Sequence, residues 1–246
     1  MLLRRMMTHV RDQNWVAVGL DFLIVVLGVF IGLQAANWNE VRNERANEAT
    51  YLKSLHADLA ASANLLDGHL AHIARRQHAL STLANAEKGD IAREGFDDLM
   101  RMGLYELEFL SVQRNTYQAL ENAGRIGLLR DIALQQALVD QSVQIAAIRD
   151  YEADMARFQH RWVDEFLLSE YHLGNVIAFE AAGTLARRDD ATDYRDLLDD
   201  MRIRNLAAFL YDILNEQRQH AEALGGAYAD SAARVEARLE RLGASE

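Results

Sequence analysis

The chain has 246 residues, 50% of them hydrophobic and 26% charged, which supplies material for one sizeable core and excludes disorder as its general state. It has no proline and only 14 glycines, so the usual breakers of long helices are nearly missing and an all-α protein is expected; the lack of cysteine excludes disulfides, thiolate metal sites and cysteine nucleophiles. The formal charge is -11, and residues 39–246 hold 23 basic against 35 acidic side chains with no basic stripe, so no nucleic acid is expected as a partner.

Residues 1–14 form a short basic segment with Arg4, Arg5 and Arg11. An apolar span follows over residues 15–38, with the run FLIVVLGVFIGL from Phe22 to Leu33 at its centre. Trp15 and Trp38 bracket it as interfacial anchors, about 34 Å apart at ~1.5 Å per residue, which matches a bilayer core with its edges. A cleaved signal peptide begins in the same way. Here, however, candidate cleavage sites put Leu33 or Gln34 where a small residue is needed, so a retained transmembrane signal anchor is expected. The arginines on the short side place the N-terminus in the cytoplasm and residues 39–246 outside. Asp21, Val25, Gly28, Gly32 and Ala35 are spaced by four, three, four and three, so they share one helix face. Gly28 and Gly32 form GxxxG, which lets two backbones approach, and an ionisable group on that face marks it as a transmembrane association face and the chain as a homo-oligomer.

Leu52, Leu59, Leu66, Ile73 and Leu80 recur every seven residues, one face of a helix running to about Ala86. Ser62, His69 and Arg76 occupy the alternate seam positions, which favours packing into a bundle over a two-stranded coiled coil. A second helical stretch is expected from about Gly95 to Ala123, interrupted near Ser111 to Asn115, with Asn115 as a cap and Gly124 as the stop. Asp131 should cap a third helix reaching about His172. Residues 173–192 read as a long connection or a short crossing helix. A last helix follows, kinked at Gly225 and Gly226. The expected fold is an up-and-down bundle of about four long helices continuing from the transmembrane helix.

The stretch LDFLIVVLGVFIGLQAANWNEVRNERANEATYLKSLHADL resembles the start of an uncharacterised family of bacterial single-span inner-membrane proteins. That family has an acidic residue at the start of the span, here Asp21, and a Leu-Gln-x-x-Asn-Trp-Asn-Glu exit motif, here Leu33, Gln34, Asn37, Trp38, Asn39 and Glu40. The segment NTYQALENAGRIGLL, residues 115–129, is similar to the family's Thr-Tyr-x-x-Leu turn. The resemblance implies a bacterial inner-membrane protein with a periplasmic C-terminal domain, and it brings no activity with it.

Chemistry-bearing constellations are sparse. His69 and His72 are three apart on one face, a spacing that suits a metal, but no HExxH or ExxH pair accompanies them, so no metal and no cofactor is expected. His160 and Asp164 read as a helix-surface pair. Asp189, Asp190, Asp193, Asp196, Asp199 and Asp200 make an acidic patch; acids in a first turn suit the helix dipole, and the EF-hand pattern is not matched. No serine lies in a GxSxG or SxxK context and no glycine-rich loop suits a phosphate, so there is no catalytic residue to name. The expectation is a non-enzymatic, membrane-anchored envelope protein, a self-associating scaffold or interaction module whose partners are the lipid bilayer, further copies and another envelope protein. The rival is an exterior sensory bundle acting through a separate transducer; an enzyme ranks third.

Overall fold

A computed structural model describes residues 15–175, 177 and 192–243. The arginines of the basic segment, Gly183, Asp189 and Asp190 lie outside the described residues. The described residues are mostly helical and contain no strand. Helix α1 spans Trp15–Asn85, α2 Arg93–Met100, α3 Asn115–Asn122, α4 Ile132–Phe158, α5 Asp164–Glu170 and α6 Met201–Gly243. A single π-turn, Arg101–Tyr105, extends α2, and another, Gln159–Val163, joins α4 to α5. By internal contacts the chain divides into two compact units, Met1–Thr50 and Tyr51–Glu246.

The first unit is the opening part of α1. Its apolar side chains from Leu20 to Leu33 are all exposed, and an 18-residue window here has a mean hydropathy of 2.1 with no residue buried. Among the described residues this is the one helix long and apolar enough to cross a membrane.

The second unit is a four-legged up-and-down bundle. Its first leg is α1 beyond Thr50, whose stripe Leu52, Leu59, Leu66, Ile73 and Leu80 is buried as the sevenfold spacing predicts. Full burial of such a side chain stabilises by about 2 kcal/mol. The last leg, α6, runs antiparallel to the first: His56 meets Glu236, His69 meets Gln217 and Arg204 reaches the carbonyl of Ala84. It is antiparallel to α4 as well, since Gln141 bonds Ser231 and Tyr151 bonds the carbonyl of Ile213.

The second leg is interrupted, as expected, but over a longer stretch that begins before Ser111. It descends beside α1, with Gly103 near Leu80 and Leu83 and with Gln113 at Ser62, but only α2 and α3 are helical and residues 106–114 between them are not. Three of the four legs are therefore long helices. One detail of the termini is also corrected. Asn115 is the first residue of α3 rather than its cap; Asp58 of α1 accepts from the Thr116 amide at 2.7 Å instead. α6 runs unbroken through Gly225 and Gly226, and Gly225 serves a close approach, since a Cβ there would lie 3.3 Å from Leu66 Cδ2. The other signals hold: Asp131 accepts from the Leu134 amide at 3.1 Å, and Gly124 ends its helix at φ 63°, a conformation that favours glycine.

Candidate functional site: a polar layer between two cores

The interior of the bundle is two apolar clusters. One, towards the Asn85 end of α1, contains Ile73, Leu80, Phe96, Met100, Met155, Phe166 and Leu210; the other contains Leu52, Leu59, Leu66, Tyr117, Leu138, Leu224 and Val235. Between them lies a layer of buried polar side chains: His69, His72 and Arg76 from α1, Glu152 and Gln159 from α4 and its π-turn, and Gln217 from α6.

The break in the second leg explains the layer. Residues 106–114 form no helix, so their backbone groups need partners elsewhere. The polar seam of α1 and its neighbours supply them. Ser62 Oγ donates to the carbonyl of Gln113 at 2.8 Å and accepts from its amide at 2.9 Å. Glu152 Oε1 accepts from the Leu110 amide at 2.7 Å. Arg76 Nε donates to the carbonyl of Gly103 at 3.1 Å and Nη2 to Gln159 Oε1 at 3.4 Å, while the Gln159 amide donates to the carbonyl of Leu104. Burial pulls the Arg76 guanidinium down to about 10, with the Glu106 charge acting against it, so it stays cationic at neutral pH.

Glu108 enters the layer from the second leg. Its carboxylate lies 3.0 Å from His72 Nδ1 and 3.5 Å from His69 Nδ1. Gln217 Nε2 stands 3.3 Å from His69 Nε2 and 3.1 Å from Glu152 Oε1. Because the carboxylate can only accept, the amide nitrogen of Gln217 faces both groups as a donor, and His69 Nε2 is an acceptor. Burial pushes both imidazoles below their ordinary value; Glu108 pulls the other way on each. Burial raises the Glu152 carboxyl, opposed by its bonds from Leu110 and Gln217.

His69 and His72 are thus seam residues with a carboxylate between them that sequence spacing did not reveal. Even so, among the described residues no three His, Asp or Glu side chains form a group suited to a metal ion. His160 Nδ1 and Asp164 Oδ2 are 2.8 Å apart on the exposed helix surface. Three of the four described acids of the acidic patch are engaged by cations: Asp193 by Arg195 and Lys88, Asp196 by Lys88, and Asp200 by Arg202. The Arg195 hydrogen bond foremost holds the Asp193 carboxyl well below its usual range.

In the first unit, Asp21, Val25, Gly28, Gly32 and Ala35 all lie exposed on α1, and a Cβ at either glycine would meet nothing within 4 Å. Trp38 is exposed, and Trp15 is the first residue of α1.

A cavity between Leu59, Tyr117, Gln141 and Tyr228 measures about 20 Å³, room for one water. A larger hollow of about 340 Å³ is an open groove on the surface, between Trp162, Phe166, Arg202 and Leu206. The chain is, by fold, an all-α bundle with one candidate membrane span. No protein-family model, curated protein or solved structure matches it.

Proposed function

We propose that this chain is a non-enzymatic envelope protein of a bacterial inner membrane. Its span acts as a signal anchor with the N-terminus in the cytoplasm, and its periplasmic bundle is a scaffold or interaction module. The fully exposed apolar run in α1 is the observation that carries this reading. The polar layer supports the scaffold, since its hydrogen bonds tie the broken second leg to α1, α4 and the π-turn after α4. The anchor is supported by the fully exposed apolar run in α1 and by the arginine bias of residues 1–14.

Self-association through the face of Asp21, Gly28 and Gly32 completes the reading, because both glycines stand open to a second backbone. Gly28→Ile or Gly32→Ile should weaken association in a membrane two-hybrid assay, while Phe30→Ile should not. Equal behaviour of the three variants would remove this interface. The rival reading, a sensory bundle, draws on one observation, the two buried imidazoles that share a carboxylate.

A further inference from the structure

The polar layer has a geometry that tolerates neutral imidazoles and leaves no place for a further proton. His72 Nδ1 faces Glu108 at 3.0 Å and is the donor; its Nε2 is buried without any hydrogen-bond partner. A proton added there would be a buried cationic N–H with no acceptor. At His69 the vacant nitrogen is Nε2, and it faces the amide donor of Gln217, so a proton there would set donor against donor. Gln217 cannot turn to offer its oxygen without pointing that oxygen at the Glu152 carboxylate. Water is the remaining acceptor, and residues 106–114, which carry Glu108, stand between the layer and solvent: the Glu108 side chain is 43% exposed, while those of His69 and His72 are 3% and 9% exposed.

We propose that His69, His72 and Glu108 form a proton-operated latch that holds residues 106–114 against α1 and α4 while both imidazoles are neutral and releases them on proton uptake. The apolar clusters on either side would keep α4 and α6 folded through the release. This inference does not rest on the scaffold role; it holds for any function of the bundle.

The groups around the imidazoles set the sign. Arg75 and Arg76 on α1 disfavour a second positive charge, and Glu106 and Glu108 on the second leg favour it, yet burial dominates and both native values lie below 6.5. The closed layer is therefore fully stabilised above about pH 6.5 and loses stability as pH falls from there through the lower native values. Glu152 on α4, raised by burial, acts in the opposite sense, since its protonation on acidification relieves a buried charge. The N–H bonds from Leu110 and Gln217 favour its ionised form without reversing the rise, so Glu152 offsets part of the imidazole response.

Hydrogen exchange on the full chain in detergent micelles, at pH 7.5 and 5.5 and corrected for intrinsic rates, tests the latch. An imidazole that binds its proton only in the released state raises opening about tenfold over that interval, so two raise it at most about a hundredfold. The expected result is at least a threefold loss of protection at Leu110 and Gln113, with Ile145 and Leu224 unchanged. His69→Gln, His72→Gln should flatten the response. Should that pair fail to fold, Glu108→Gln gives an independent reading. Without the counter-ion the acid response should grow, because the anion that partly compensates the buried cation is gone. Unchanged protection in the wild-type chain, a response that survives in the folded double glutamine variant, or a response abolished by Glu108→Gln would each overturn the proposal.

Discussion

Among the described residues Arg76 is the largest side chain the fold buries completely, and it is bound to a backbone carbonyl and an amide rather than to a carboxylate. Removing it strands the carbonyl of Gly103 and the oxygen of Gln159 inside the bundle and opens a cavity as well. Arg76→Ala should therefore cost about 3 kcal/mol, read as a lower urea midpoint. Arg76→Met keeps most of the volume and strands the same acceptors, and should cost less. Half of this layer is legible in the sequence. Ser62, His69 and Arg76 fall seven residues apart on the seam of a leucine stripe, which marks them as facing inward. Their partners Glu108, Gln113 and Gly103 lie in a segment with no hydrophobic period, so nothing local announces that it packs against that seam. For the same reason a carboxylate beside His69 and His72 could not be read from helix spacing alone.

At the scale of elements, the helix ends show how a local signal can be right in kind and wrong in owner. A capping residue is needed before Thr116, and Asn115 suits the sequence rule, yet Asp58 on α1 reaches that amide first. Asp58→Ala should destabilise the bundle by about 1 kcal/mol, whereas Asn115→Ala should change it by less than about 0.5 kcal/mol. Thermal unfolding of the two variants side by side decides it, and the reverse order would return the cap to Asn115.

Glycines give a second contrast. A Cβ at Gly103 would lie 3.2 Å from Leu83 Cδ1 and 3.3 Å from Leu80 Cδ2, two side chains that are completely buried, so Gly103→Ala should cost about 1–3 kcal/mol by overpacking. At Gly225 one leucine methyl must yield by a few tenths of an ångström, and the gain in helix propensity, up to about 1 kcal/mol, offsets it. Gly225→Ala should be near neutral in the same measurement.

For the whole molecule, the all-α class and the four antiparallel legs follow from features that the sequence states openly: no proline, long stripes of helical period, and Lys88, Gly124 and Asp131 at or near the boundaries. The second leg was the part it obscured, since α2 and α3 have eight residues each and draw their stability from neighbours rather than from their own turns. The central claim is that the apolar part of α1 holds the chain in a membrane with the bundle on the non-cytoplasmic side. Two C-terminal fusions of the full chain test it directly, one to a reporter enzyme active only outside the cytoplasm and one to a protein fluorescent only within it. The account predicts activity from the first and darkness from the second, both in the membrane fraction and resistant to alkaline extraction. A fluorescent, cytoplasmic C-terminus, or release of the chain by alkaline extraction, would contradict it.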